Sequence, residues 1–311
     1  MGSPPGPGIL LMMSSAPSTV STSASGGLWS TIGAYVALTK PRIVELLLIT
    51  TVPAMAVAGA GWPDTWLVVA TLIGGTLSAG GANALNNYHD RDIDEIMRRT
   101  SQRPLPQHRV PPERARAFGI ALGVAGFVWL WAFANLIAAM WSTAALLFYV
   151  LVYTRILKRS TDQNIVIGGA AGAAPVLVGW AAVTGSLAAP AWILFAIIFA
   201  WTPPHFWALA IRYKDDYAEA GVPMMPSVRG VAATTRQMLV YAGLTVLFSL
   251  ALVPAAGMGW IYMLSAIVLG GWFVVASFRV LFDPSRAMAL FGYSTLYLAV
   301  LFGAMLVDRI V

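Results

Sequence analysis

Long apolar stretches alternate with short polar connections along most of the chain. Each stretch is close to the roughly 20 residues that a helix needs to cross the hydrocarbon core of a bilayer. The pattern predicts an all-α polytopic membrane protein with about nine transmembrane helices. We place these spans near residues 43–61, 65–86, 116–134, 137–155, 164–184, 190–211, 236–256, 260–281 and 289–307.

The first 28 residues do not follow this pattern. They are rich in Ser, Gly, Pro and Ala, and they lack the positively charged segment that opens a signal peptide. Their apolar stretch, ILLMM, is also too short for one. We therefore expect a disordered N-terminal tail over residues 1–28 and one transmembrane domain over residues 29–311.

Composition supports the membrane assignment. Hydrophobic residues make up 58% of the chain and charged residues 10%, whereas soluble domains contain about 25% charged residues. The chain has no cysteine, which excludes disulfides, thiolate metal sites and a cysteine nucleophile.

The distribution of positive charge predicts the orientation in the membrane. Eighteen of the 19 Lys and Arg residues fall in connections on one side of the predicted spans, and only Arg309 falls on the other. The positive-inside rule then puts the N-terminus in the cytoplasm and the C-terminus outside. We expect a bacterial cell membrane, and the net charge of +6 needs no nucleic-acid partner to explain it.

Acidic residues follow the second predicted span at helical spacing. Asn86, Asp90 and Asp94 recur at i, i+4 and i+8, with Asp92 between them. At about 100° per residue, each step of four drifts by only about 40°, so the three side chains share one helix face. Such a face is typical of a site for a divalent cation.

A second acidic cluster follows the sixth predicted span. When ALAIRYKDDYAEAG is aligned with ALNNYHDRDIDEI, Asp215 falls on Asp90 and Glu219 falls on Asp94, and Asp216 is a further candidate. Two facing carboxylate sets are one way in which proteins hold Mg²⁺ ions that also bind substrate phosphates. For either cluster alone, a solvated acidic helix end is the alternative.

Cations accompany these carboxylates. Arg99 and Arg103 stand one helical turn apart just after the first cluster, and Lys158 lies in a second basic connection. Guanidinium groups suit phosphate, so the polar connections predict a ligand with a metal-bound diphosphate and a long hydrocarbon tail. An ion-coupled transporter is the alternative, and Glu45 within the first span fits both. The acidic groups lie at one face, however, and transporters usually bind their substrate near the midplane.

These motifs resemble those of a known family, the intramembrane prenyltransferases of the UbiA type. NNYHDRDID is similar to its N-x-x-x-D-x-x-x-D motif, and the second cluster occupies the place of its D-x-x-x-D, ending here in Glu219. Further stretches between about residues 38 and 230 resemble the branch that farnesylates heme. They are LTKPRIVELLLIT, DRDIDEIMRRTSQRPLP, YTRILKRSTDQNIVIGGAAGAAPVLVGW and WTPPHFWALAIRYKDDYAEAGVPMMP.

The resemblance implies nine helices around a central cavity, Mg²⁺ as cofactor, farnesyl diphosphate as donor and heme B as acceptor substrate. The residues implied as ligands of Mg²⁺ and diphosphate are Asn86, Asp90, Asp94, Asp215, Asp216 and Glu219. Those implied to neutralise the departing diphosphate are Arg99, Arg103, Lys158 and Lys214. His205 is the first candidate for a heme contact, and a hydrogen-bonded core histidine is the alternative.

Relatives that prenylate aromatic quinone precursors are the nearest alternative within the family. If heme is the acceptor, heme A synthase and terminal oxidase assembly proteins are candidate partners for product handover.

Overall fold

The computed structural model describes residue 2 and residues 27–311, apart from the side chains of residues 43, 46 and 47. In that part of the chain all regular secondary structure is helical. The helices are α1 Leu28–Leu38, α2 Pro41–Ala58, α3 Thr65–Ile96, α4 Pro112–Phe133, α5 Leu136–Leu147, α6 Lys158–Ser160, α7 Asn164–Thr184, α8 Ala189–Arg212, α9 Lys214–Glu219, α10 Met225–Val228, α11 Gly230–Ala256, α12 Trp260–Phe282 and α13 Ala287–Ile310. A π-helical segment, Phe148–Leu157, joins α5 to α6, and a 3₁₀ turn, Pro284–Arg286, precedes α13.

The prediction of an all-α membrane protein is confirmed. Among the described residues, eight helical segments are long and apolar enough to cross a membrane. The ninth predicted span, near 43–61, corresponds to α2, whose described apolar stretch Leu48–Ala58 is shorter than a full span.

Helix α1 was not predicted, because its 11 residues are too few for a span. It packs through the buried side chains of Ala34 and Leu38, in a cluster with Ala84 and Leu105. Most of the predicted tail over residues 1–28 lies outside the described residues, while Leu28 already begins this helix.

Helix α3 is ten residues longer than the predicted span 65–86. Its first turn is capped by Asp64, whose carboxylate accepts a hydrogen bond from the backbone N–H of Leu67 at 2.8 Å. Close contact with α4 depends on glycine, because a Cβ at Gly81 would lie 2.7 Å from the carbonyl oxygen of Gly119. The helix continues past the apolar stretch, so the first acidic cluster lies on a rigid helix rather than in a loop.

The predicted span 137–155 is also longer in the structure, where α5, the π-helical segment and α6 form one continuous span, Leu136–Ser160. In the π-helical segment, the hydroxyl of Thr154 donates to the carbonyl oxygen of Tyr149, five residues earlier, at 2.8 Å. Such π-helical segments are often found at functional sites. Here the segment brings Thr154 and Lys158 against α3.

The long helices form a bundle in which each packs against its neighbours in sequence. In addition, α2 packs against α7 and α13, and α8 packs against α11 and α13. At one end of the bundle, contacts join Lys40, the end of α3, the connection after α6 and the connection between α8 and α11. We call this the polar end of the bundle, because it carries both acidic clusters.

Candidate active site

The first acidic cluster lies on one buried face of α3, as its spacing predicted. Asn86, Asp90 and Asp94 are 3%, 1% and 1% exposed. Two buried carboxylates and an amide in one row are costly for a membrane protein unless other polar groups meet them. Each of the three side chains does meet such partners.

Asn86 and Asp90 belong to one hydrogen-bond network. The amide nitrogen of Asn86 donates to Asp90 Oδ2 at 2.8 Å and to the Thr154 hydroxyl at 3.0 Å. Its amide oxygen accepts from Lys40 Nζ at 2.6 Å. Lys158 Nζ donates to the same Oδ2 of Asp90 at 2.6 Å. Two lysines from distant connections therefore converge on the first half of the acidic row.

Asp94 is held by the connection that follows α3. Arg103 Nη1 lies 2.9 Å and 2.8 Å from the two carboxylate oxygens of Asp94. The chain turns back at this point, where the hydroxyl of Thr100 donates to the backbone carbonyl of Asp94 at 3.2 Å. Of the predicted diphosphate ligands, Arg103 and Lys158 thus lie directly on the acidic row.

The second cluster lies on α9, a helix of six residues, and only part of it points inward. Asp216 is 4% exposed, whereas Asp215 and Glu219 are exposed. Lys214, a predicted diphosphate ligand, is exposed as well. Among the predicted members of this cluster, the structure therefore places Asp216 deepest and puts the two carboxylates that matched the first motif on the surface.

Two adjacent arginines connect the two clusters. Arg98 donates through Nε and Nη2 to Asp216 Oδ1, at 3.0 Å and 2.6 Å. Arg99 donates to the hydroxyl of Tyr217 at 3.1 Å, and its guanidinium lies over the ring of Tyr213 at 5.7 Å. Both arginines follow α3 by a few residues, so the connection after the first cluster also holds the second cluster in place.

An ion pair joins the connection after α6 to the connection before α11. Asp162 accepts hydrogen bonds from Nε and Nη2 of Arg229, the latter at 3.1 Å. The hydrogen bonds from Arg229 hold the pKa of the Asp162 carboxyl below its usual range. Nearby, the amide of Asn164 donates to the carbonyl oxygen of Pro223 at 3.1 Å. These contacts tie the segment that carries Lys158 to the segment that carries α9.

Each of the three buried carboxylates of the site is paired with one cation. The pairs are Asp90 with Lys158, Asp94 with Arg103, and Asp216 with Arg98. Because an uncompensated buried charge is strongly destabilising, these pairs offset the cost of burying the carboxylates in an apolar bundle. They also place three cations where an anionic substrate would arrive.

Two buried carboxylate oxygens have no hydrogen-bond partner within the described part of the chain, namely Asp90 Oδ1 and Asp216 Oδ2. Unpartnered buried oxygens of this kind are suited to a hard cation. No group of three or more acidic or histidine side chains in the same part of the chain is close enough to hold a metal alone. This donor set fits Mg²⁺, which usually binds one or two carboxylates together with waters and substrate phosphates.

Lys40 is a site residue that the sequence reasoning used only for orientation. It precedes α2 with a left-handed backbone, φ 51°, which is uncommon for a residue other than glycine. Burial, together with the charge of Arg103, lowers the pKa of Lys40 to about 7. Its position directly before Pro41 marks a helix start in the sequence, but no local pattern links it to Asn86.

His205 lies within α8 and is 6% exposed. Its Nδ1 is 2.7 Å from the hydroxyl of Ser294. The imidazole is stacked between Trp201 and Phe291, with ring centroids 4.2 Å and 4.4 Å away. These are the surroundings of a hydrogen-bonded core histidine, and the heme contact of His205 stays a prediction.

An apolar cavity of about 740 Å³ lies beside the polar end, between the first four helices. Thr39 and Pro41, on either side of Lys40, contribute to its lining, and Glu45 lies on its wall. Most of the remaining lining is apolar, from Ile32, Val36, Val44, Leu48, Leu77, Phe118 and Leu122. The cavity offers room for a hydrocarbon group close to the acidic row.

Comparison with known proteins identifies one family. The model of the UbiA prenyltransferase family matches residues 47–306. A protoheme IX farnesyltransferase of Clavibacter michiganensis subsp. michiganensis is 53% identical over 280 residues, which cover 88% of this chain and 92% of that protein. One from Mycobacterium sp. (strain KMS) is 51% identical over 286 residues, covering 90% and 92%.

Solved structures show the same fold. A structure from work on digeranylgeranylglyceryl phosphate synthase has a TM-score of 0.74 at 19% identity and covers 90% of this chain and 99% of that one. A UbiA homolog from Archaeoglobus fulgidus, bound to DMAPP and Mg²⁺, has a TM-score of 0.62 at 14% identity, with 87% and 98% coverage.

Proposed function

The chain belongs to the UbiA prenyltransferase family, and from this premise we propose that it transfers the farnesyl group of farnesyl diphosphate to a vinyl group of heme B. Addition of water completes the reaction and gives heme O and diphosphate. The observation that carries the proposal is the set of three buried carboxylates, each paired with a cation, at the polar end of an apolar bundle. The names of relatives more than 50% identical over most of both chains support heme as the acceptor.

The diphosphate of the donor would bind at the acidic row. Asn86, Asp90, Asp94 and Asp216 are the residues that would hold Mg²⁺ with the diphosphate, with Asp215 and Glu219 at the exposed rim of the second cluster. Mg²⁺ supplies charge neutralisation on the phosphate oxygens. The apolar cavity beside Lys40 has the chemistry that a farnesyl chain requires.

The cations of the site supply the electrostatic part of catalysis. Lys158, Arg103 and Arg98 each neutralise a buried carboxylate in the absence of substrate. When the diphosphate leaves, negative charge grows on the oxygen that linked it to C1 of the farnesyl group. Cations already fixed at the site stabilise this charge in the transition state. Arg99 and Lys214 are the further predicted contributors, from the connection after α3 and from α9.

The bond-forming step needs no side-chain nucleophile. As diphosphate departs, the allylic C1 of the farnesyl group becomes positively charged in a pocket that excludes bulk water. The terminal carbon of a heme vinyl group attacks C1, and the positive charge then lies next to the pyrrole, where the macrocycle delocalises it. One water adds to this carbon and releases a proton. The absence of cysteine from the chain agrees with such a mechanism.

We predict that the new hydroxyl oxygen comes from solvent. Purified protein in detergent, given farnesyl diphosphate, heme B and Mg²⁺ in heavy-oxygen water, should yield a farnesylated heme that carries one heavy oxygen by mass spectrometry. A farnesylated heme with an unlabelled hydroxyl would contradict the water-addition step. An ion-coupled transporter would form no product, and a relative specific for quinone precursors would prenylate an aromatic acid and leave heme unchanged.

The polar end is expected to face the cytoplasm of a bacterial cell, because 18 of 19 Lys and Arg residues lie on that side. The chain has no cysteine, so single cysteines can be placed at Ser101 and Val311 and treated with an impermeant thiol reagent in intact cells and in inside-out vesicles. We expect labelling of the Ser101 variant only in vesicles and of the Val311 variant only in cells. Labelling of both from the same side would contradict an odd number of spans.

Heme A synthase and terminal oxidase assembly proteins stay the predicted recipients of the product. A farnesylated heme is strongly apolar, so direct handover within the membrane is expected for it.

A further inference from the structure

A second pocket, polar in contrast to the apolar cavity, lies on the other side of α3 from the acidic row. It has a volume of about 290 Å³ and is lined by His89, Arg91, Asp92, Arg155 and Arg159. Asp92 is two residues from both Asp90 and Asp94, which at about 100° per residue places it on the opposite face of the helix. We call this space the basic pocket, and the proposed transfer reaction makes no use of it.

Positive charge is in excess in the basic pocket, with three guanidinium groups against one carboxylate. Arg159 forms a bidentate ion pair with Asp92, with both nitrogen–oxygen distances at 2.7 Å. Arg91 donates to the carbonyl oxygen of Tyr88 at 2.7 Å and carries no ion pair within the described residues. The side chain of Arg155 has neither a hydrogen bond nor an ion pair in the same part of the chain. Within residues 27–311 as described, two cations of the basic pocket, Arg91 and Arg155, are thus left without a counter-charge.

The basic pocket borders an apolar surface of the span Leu136–Ser160. Leu147, Leu151 and Ile156 are 47%, 44% and 57% exposed on this span. Arg155 directly precedes Ile156, so the unpaired guanidinium lies where the lipid-facing surface meets the polar end. In a bilayer this is the level of the lipid headgroups.

We propose that the basic pocket binds the phosphate of an anionic membrane lipid, whose acyl chains lie along Leu147, Leu151 and Ile156. A guanidinium group can donate two parallel hydrogen bonds to two phosphate oxygens, and the guanidinium of Arg155 is available for this contact. Basic pockets between membrane helices on the cytoplasmic side are typical sites for anionic headgroups. A free phosphate ion has the same headgroup chemistry, but it would make no use of the adjoining apolar surface.

The binding can be measured with spin-labelled phosphatidylglycerol, present as a small fraction in phosphatidylcholine vesicles that contain the full chain. The matched variants are Arg155→Gln and Arg114→Gln, which each remove one exposed arginine at the polar end, the second outside the basic pocket. Arg155→Gln removes a guanidinium that contacts the bound phosphate in this proposal, and a loss of about 1 kcal/mol for that contact should weaken the association of the labelled lipid about fivefold. Arg114→Gln should leave it unchanged, and Arg155→Lys should weaken it less than Arg155→Gln does.

Two results would overturn the proposal. Equal association for the wild type and Arg155→Gln would show that the basic pocket does not select the lipid. Equal losses for Arg155→Gln and Arg114→Gln would show that diffuse surface charge is responsible.

Inorganic phosphate distinguishes the two sources of the anion. Added phosphate should displace the labelled lipid no better than chloride at the same ionic strength, since both only screen charge. Displacement by phosphate alone, lost in Arg155→Gln, would mean that the site takes a free anion and that the lipid assignment is wrong. Correct folding of each variant is checked by its monodispersity in detergent before reconstitution.

Discussion

Asp90→Asn should remove nearly all prenyl transfer while the protein still inserts and folds. Asn has almost the same shape as Asp, so packing on α3 is retained. What is lost is a negative charge beside Lys158 and the carboxylate oxygen Asp90 Oδ1, which has no hydrogen-bond partner in the part of the chain that the structure describes. Because a preorganised electrostatic contact at a reacting centre is worth roughly 10²–10³-fold in rate, we expect a loss of that size in kcat.

The matched control for Asp90→Asn is Glu95→Gln. Glu95 lies on the same helix end, and its side chain is exposed. This variant also removes one carboxylate charge, and its kcat should stay close to that of the wild type. Thermal unfolding in detergent measures folding separately from activity. Near-normal kcat in a folded Asp90→Asn protein, at limiting Mg²⁺, would show that the acidic row does not act on the diphosphate.

Within the second cluster, Asp216→Asn should cost far more activity than Asp215→Asn. Asp216 is buried and accepts two hydrogen bonds from Arg98, and its Oδ2 has no hydrogen-bond partner among the described residues. Its loss should lower kcat/KM for farnesyl diphosphate roughly 10²-fold. Asp215 is exposed, and exposed charges contribute about 0–1 kcal/mol, so its loss should lower kcat/KM by about fivefold at most.

Comparing Asp216→Asn with Asp215→Asn also distinguishes two possible sets of ligands in the second cluster. If Asp215 and Glu219 are direct ligands, as the alignment of the two motifs predicted, Asp215→Asn should be as damaging as Asp216→Asn. Glu219→Asp should be tolerated in either case, because the carboxylate is kept. Steady-state kinetics with farnesyl diphosphate varied at saturating heme gives the required values.

The first acidic cluster could be predicted from sequence because it lies on one long helix. Spacings of four residues place side chains on one face whenever the helix is continuous, and α3 runs unbroken through Asp94. The spacing of the second cluster was less informative. There the helix breaks after Arg212, and α9 lies at the surface with Asp216 inward, so a match of motifs could not show which carboxylate is buried.

The partners of the carboxylates were harder to predict. Arg98 and Lys40 reach the site from connections whose path depends on tertiary packing, and neither has a distinctive spacing from the residue it contacts. Arg103 was identified because it follows the first acidic motif closely in sequence, and Lys158 because it lies in a second basic connection on the same side of the predicted spans. For Lys158, the π-helical segment is the local feature that brings it to Asp90, and no periodicity of the sequence predicts that segment.

Heme extracted from bacterial membranes tests the central claim most directly. Membranes of a host without its own heme-farnesylating enzyme are compared after expression of this chain and of its Asp90→Asn variant. With the wild type, a late-eluting hydroxyethylfarnesyl heme should appear beside heme B on reversed-phase chromatography, and with the variant only heme B should be present. Heme B alone in both samples, from a wild-type protein that is folded and inserted, would contradict the assignment of heme as the acceptor.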